Sequence, residues 1–78
     1  MTKEEILSEI QKIISDLLKK EVLINFETTA NDVEGWDSLR HITIISAIER
    51  RFGFKFKMKD IVGMKNVGEM IDIIIDNI

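Results

Sequence analysis

Between Thr2 and Leu18, apolar residues fall at Ile6, Leu7, Ile10, Ile13, Ile14, Leu17 and Leu18, with polar or charged residues between them. This three-to-four spacing marks one face of a helix and predicts an amphipathic helix along the whole stretch. Thr2 and Glu5 stand at capping-box spacing, so each side chain can satisfy a backbone donor left over by the first turn. Glu4, Glu5 and Glu9 lie early and Lys19 and Lys20 late, the charge order a helix dipole favours.

From Lys20 to Asp37 the period fails. Val22, Leu23, Ile24 and Phe26 are apolar without extending the stripe, and Thr28, Thr29, Asn31, Asp32 and Gly35 bring turn chemistry. A long loop in a compact domain tends to carry function. It needs packing anchors, and Ile24, Phe26, Val33 and Trp36 are the expected ones.

The helical period returns at Ser38. Asp37 or Ser38 can cap a second helix that runs to about Phe52 and breaks at Gly53. Its expected buried stripe is Leu39, Ile42, Ile45, Ile48 and Phe52, widened by Ile44 and Ala47. Phe54-Lys55-Phe56-Lys57 alternates like a strand but has no partner strand in the chain. It reads as an extended connection with one or both Phe rings tucked inward. Met58 to Met64 has room for one or two helical turns, with Ile61 and Val62 facing in. Asn66 then caps a last helix from Val67 to about Asn77, whose stripe is Val67, Met70, Ile71, Ile74 and Ile78. The expected fold class is all-α, a small four-helix bundle of three main helices and one short one with a long first loop.

Composition narrows the function. Seventy-eight residues, 45% of them hydrophobic, fit a single domain over 1–78, near the lower size limit for one hydrophobic core. No cysteine is present, so no disulfide or thiolate metal site supports the fold, and thiol chemistry would have to come from a cofactor. A net charge of −3 and a pI of about 5.1 argue against nucleic acid as partner. No apolar run reaches the ~18 residues of a membrane span, and Met-Thr-Lys-Glu-Glu at the N-terminus lacks a signal-peptide layout. The expectation is a cytoplasmic monomer, a discrete protein rather than an excised module.

The candidate chemistry sits in Gly35-Trp36-Asp37-Ser38-Leu39, where loop turns into helix. A serine there has three possible roles. It can cap the helix, as Ser and Asp commonly do. It can act as a nucleophile, since Asp37, Ser38 and His41 supply the residue types of a triad. That arrangement would lie on an exposed surface without a Gly-x-Ser-x-Gly turn, and His41 reads instead as a solvated helix residue. Or it can be the attachment point of a cofactor.

On the third role, Gly35-Trp36-Asp37-Ser38-Leu39 resembles the Asp-Ser-Leu motif of the acyl carrier proteins. Thr28-Thr29-Ala30, Asp32-Val33, Glu49-Arg50-Arg51-Phe52-Gly53 and Lys65-Asn66-Val67 also fall where that family has similar residues. The resemblance covers nearly the whole chain. It implies a non-enzymatic carrier in which Ser38, flanked by Asp37 and Leu39, bears 4′-phosphopantetheine from coenzyme A, with the acyl group held on it as a thioester. A negative phosphodiester at a helix N-terminus also suits the dipole. The implied partners are a phosphopantetheinyl transferase and acyl-activating, condensing or acyl-transferring enzymes, with no metal.

The chain departs from the fatty-acid-synthesis type, which has an acid after Asp-Ser-Leu and more along the second helix. Here Arg40 and His41 follow the motif, and Arg40, Arg50 and Arg51 face a single acid, Glu49, between Ser38 and Gly53. With Trp36 and His41, these arginines are the expected partner-recognition residues of a carrier serving a specialised pathway. Two other readings stand beside this one. A peptidyl or aminoacyl carrier is possible, although Glu34-Gly35-Trp36-Asp37 replaces the Leu-Gly-Gly of that type. A helical interaction module without a cofactor is the other.

Overall fold

The computed structural model describes Met1–Ile78 as four α-helices and one short 3-10 turn: α1, Lys3–Leu18; the turn, Ala30–Asp32; α2, Ser38–Phe52; α3, Met58–Gly63; and α4, Val67–Asn77. The helix starts follow from local chemistry. The Thr2 hydroxyl accepts the Glu5 N–H at 3.1 Å, and the Glu5 carboxylate accepts the Thr2 N–H at 2.7 Å. Asn66 opens α4 by accepting the Glu69 N–H at 2.9 Å. α2 ends at Gly53 in the left-handed region, as the breaker predicts. α1 ends without a glycine, and Lys19 itself takes a φ of 57°.

The core is largely isoleucine. Ile6, Ile10 and Ile14 of α1 are buried, with Leu7, Ile13, Leu17 and Leu18 half-buried beside them. They meet Ile44, Ile45 and Ile48 of α2 and Val67, Met70, Ile71 and Ile74 of α4. α1 packs against both other long helices. Arg51 reaches back from α2 to Glu9 at 2.7 Å, and Lys3 of α1 pairs with Asp72 of α4 at 3.1 Å. Pairs this open to water contribute at most ~1 kcal/mol each.

Four expected core residues face outward instead. Leu39 is 71% exposed, Ile42 56%, Val62 78% and Ile78 54%. The turn of the helix explains the first two. At about 100° per residue, Leu39 comes out opposite the mean direction of Ile44, Ile45 and Ile48, and Ile42 lies on its flank. Ile61 of α3 and Met64 just after it are half-buried against the core, and Met58 joins Val62 on the outside. Ile78 follows the last turn of α4.

The long loop is stitched down on both sides. Ile24, Val33 and Trp36 are buried and Phe26 half-buried, as expected, and Val22 is an additional anchor. The Ser15 hydroxyl accepts the Val22 N–H at 3.1 Å and donates to the Val22 carbonyl at 3.4 Å. The Gln11 side-chain oxygen accepts the Ile24 N–H at 3.0 Å. Thr28 is buried, and its hydroxyl exchanges hydrogen bonds with Asn25. The 3-10 turn after it is closed by the Thr29 N–H on the Asp32 carboxylate at 2.9 Å. At the far side, the Val67 and Gly68 N–H groups donate to the Thr28 and Phe26 carbonyls at 2.9 and 2.8 Å. After α2, Phe56 is buried and packs edge-to-face on Phe54 with ring centroids 4.7 Å apart. The Glu49 carboxylate accepts the Phe56 N–H at 2.8 Å, tying this connection to α2.

Candidate functional site

Ser38 is the first residue of α2, and Asp37, in extended geometry, is its cap. The Asp37 carboxylate accepts the Arg40 N–H at 2.8 Å, and the Asp37 carbonyl accepts the His41 N–H at 2.8 Å. The capping role therefore falls to the acid. The Ser38 side chain is exposed, and its hydroxyl is not committed to a hydrogen bond within the chain. Its approach is shaped by Gly35, whose φ of 92° turns the chain so that Trp36 goes inward while Asp37 and Ser38 stay out. The Trp36 N–H closes this turn on the Val33 carbonyl at 3.1 Å.

Trp36 is 7% exposed, and its indole Nε1–H donates to His41 Nδ1 at 3.1 Å. The two rings stack with centroids 6.0 Å apart and an interplanar angle of 27°. His41 is half-buried rather than solvated, which corrects the sequence expectation. The reason is chemical: a buried indole N–H needs an acceptor, and the only histidine of the chain stands one turn into α2. The same contact takes the triad apart. The ring nitrogen that an orienting acid would use is occupied by Trp36, and Asp37 is turned onto a backbone N–H.

The other residues singled out by sequence divide by engagement. Leu39, Arg40 and Arg50 are exposed, and Ile42, Thr43 and Ser46 continue their outward face along α2. Arg51 is also at the surface, but its guanidinium pairs with Glu9 and lies over the Phe52 ring at 5.2 Å from the centroid. Glu49, the one acid of α2, is turned onto the Phe56 N–H. Sequence reading placed Leu39 beside Ser38 but took Leu39, Ile42 and Val62 as buried, and it gave the exposed Met58 no role. The available signal was the position of Leu39 and Ile42 off the direction of the Ile44, Ile45 and Ile48 stripe.

The site can hold a phosphodiester. The Ser38 hydroxyl is free and open, α2 begins there with its dipole favouring an anion, Arg40 adds positive charge, and the nearest carboxylate is already engaged. Behind it, the cavity bordered by Trp36, His41 and Met70 is only about 30 Å³, room for little more than a water molecule.

Comparison with known proteins agrees with this chemistry. Residues 8–74 match the family described as the phosphopantetheine attachment site. An acyl carrier protein of Cyanidium caldarium is 40% identical over 81 residues, spanning 100% of this chain and 92% of the relative. An acyl carrier protein of Coprothermobacter proteolyticus is 29% identical over 79 residues, spanning 100% of this chain and 96% of the relative. Members of this family carry acyl groups on 4′-phosphopantetheine, work with partner enzymes, and have no catalytic activity of their own. With the family match across most of its length and the all-helical fold built around an open serine, the chain belongs to the acyl carrier protein family of phosphopantetheine-bearing proteins.

Proposed function

We propose that Ser38 is the residue that bears 4′-phosphopantetheine, and that residues 1–78 act as one carrier unit in the cytoplasm as a monomer. The observation that carries this reading is the division of labour at the start of α2: Asp37 caps, and Ser38 keeps a free, exposed hydroxyl. A phosphopantetheinyl transferase would join the Ser38 oxygen to the phosphate of coenzyme A, the adenosine bisphosphate leaving and the hydroxyl proton passing to the transferase. When bound, the group supplies the thiol that holds an acyl cargo as a thioester, which a chain without cysteine cannot supply. The chain's own part is to keep Ser38 at a fixed edge of the bundle and to offer the partner enzyme a face beside it. Intact mass after incubation with coenzyme A and a transferase is the test. A gain of one phosphopantetheine, lost in Ser38→Ala, supports the assignment, and a gain that persists in the variant refutes it.

The partner face supports a specialised pathway, served by a dedicated acyl-activating, condensing or acyl-transferring enzyme. Arg40 and Arg50 are exposed on α2, as are Leu39 and Ile42, and Glu49 is turned onto the Phe56 N–H. Basic partner surfaces of the fatty-acid-synthesis kind meet like charge there, which costs encounter rate and specificity. Leu39 and the three arginines bear on recognition directly, Arg51 from within its pair with Glu9, while Trp36 and His41 contribute through the shape of the loop. Exchange with a housekeeping carrier in reconstituted chain elongation at comparable rates would overturn this reading. Loading of an amino acid in place of an acyl group would assign the chain to the aminoacyl variant.

A further inference from the structure

Ser38 lies inside a small ring of chain closed by one side-chain hydrogen bond. Trp36 precedes the Asp37 cap and His41 sits one turn into α2, and the bond between Trp36 Nε1–H and His41 Nδ1 spans the two. The burial of Trp36 makes this bond matter. An indole N–H taken out of water needs an acceptor, and an imidazole nitrogen accepts only while it carries no proton. With Nδ1 accepting, the proton of the neutral ring is on Nε2.

Protonation of Nδ1 would set N–H against N–H at 3.1 Å. It would also put a second positive charge at the edge of a cavity that Lys65, in the connection between α3 and α4, already borders. The groups facing that cavity from the loop and from α4, Thr28, Ala30 and Met70, are uncharged. On the first turn of α2 itself, the Asp37 carboxylate is engaged by the Arg40 N–H, and the Arg40 side chain is exposed. No carboxylate borders the cavity to compensate a protonated His41.

We propose that His41 is a positioning residue for Ser38: in its neutral form it holds Trp36 inward and fixes the loop that presents the serine, and on protonation it releases that loop. The proposal rests on the assignment of Ser38 as the attachment point. It adds that presentation of Ser38 is strongest while Nδ1 is free to accept and weakens when Nδ1 carries a proton. Protonation removes the acceptor of a buried donor, and it also puts a positive charge near the start of α2, where the helix dipole disfavours it.

The test uses the intact, unmodified chain. Nitrogen-15 NMR follows the single indole N–H and the His41 ring together from about pH 8 to pH 5. The expected result is that the Trp36 indole resonance moves with the same midpoint as His41, and that its solvent exchange, corrected for the intrinsic pH dependence, becomes roughly tenfold faster on the acid side. An indole resonance that stays fixed while His41 titrates overturns the proposal in the wild-type chain alone, whether or not any variant folds. In parallel, the transferase rate is measured as the ratio of wild type to His41→Gln at each pH, because the Gln amide oxygen accepts at every pH. A ratio that falls toward acid supports the positioning role, and a flat ratio overturns it. If no phosphopantetheine is gained at any pH, the Ser38 assignment fails while the resonance measurement still decides the Trp36–His41 switch.

Discussion

Asp37 and Ser38 are adjacent, and the sequence alone allows either to cap α2. The structure separates them, because only the Asp37 side chain receives the Arg40 N–H. Asp37→Ala should therefore cost about 1 kcal/mol of unfolding free energy, measured by denaturant titration. Ser38→Ala should leave the midpoint nearly unchanged while abolishing modification. Equal losses in the two variants would mean that the serine shares the cap. A second residue-scale prediction concerns Glu5, whose carboxyl is held below its usual range, first by the Thr2 N–H and then by the Thr2 side chain. A depressed carboxyl pKa contributes stability above the unfolded carboxylate range, and that contribution is lost as pH falls through the folded value. Amide protection in the first turn of α1, corrected for the intrinsic pH dependence of exchange, should accordingly fall at acid pH in the wild type, and Glu5→Gln should remove that pH dependence. The caps of α1 and α4 are legible in the sequence, since the Thr2 and Glu5 spacing and the Asn66 residue type are local signals. The Trp36–His41 contact is less legible. It depends on the loop turning Trp36 inward, which Gly35 permits but does not announce.

At the scale of elements, the helices were readable and their outward faces were not. Apolar residues at helical spacing give a helix its period, but they do not say which of several apolar positions the neighbours cover. Leu39, Ile42 and Val62 look like core in the sequence and are surface in the fold. The loop was less readable still, because its fastenings come from distant residues such as Gln11 and Ser15. Its second attachment can be tested with one substitution made at two glycines. A Cβ on Gly68 would fall 2.8 Å from the Phe26 carbonyl oxygen, whereas one on Gly63 would meet nothing within 4 Å. Gly68→Ala should destabilise by about 1–3 kcal/mol, as an overpacked contact does. Gly63→Ala, at the end of α3, should stabilise by about 0.4–1 kcal/mol through the unfolded chain. Chemical denaturation of the two variants checks both signs, and a loss at Gly63 comparable to that at Gly68 would contradict the close approach of α4 to the loop.

Across the whole molecule, charge is sorted by region. Most acids precede Ser38, the carboxylates after Met64 lie on α4, and the exposed positive charge of Arg40, Arg50, Lys55, Lys57 and Lys59 lies on α2, the connection after it and the start of α3. Steering by such a face acts on association rate and fades with salt. Replacing Arg40 and Arg50 together by Glu should slow association with the chain's own partner enzyme by tenfold or more at low ionic strength, on the order of known electrostatic steering effects. The gap should narrow as salt rises, in stopped-flow or surface-binding measurements. A rate unaffected by the reversal would place recognition on the apolar residues alone. The net charge, visible in the composition, conceals this sorting, and the fold gives it a direction by putting α2 at the surface beside Ser38.

The fastening of the loop to α1 also bears on how such a protein can be rebuilt. Val22 and Ile24 donate their N–H groups to Ser15 and Gln11, so the first loop and one side of the first helix form a single inheritable piece. A chimera that grafts residues 20–37 onto another carrier's first helix would strand two backbone donors unless positions 11 and 15 travel with the graft. The natural seam for recombination therefore lies ahead of Gln11, inside a helix, and not at the helix end where a designer would first cut.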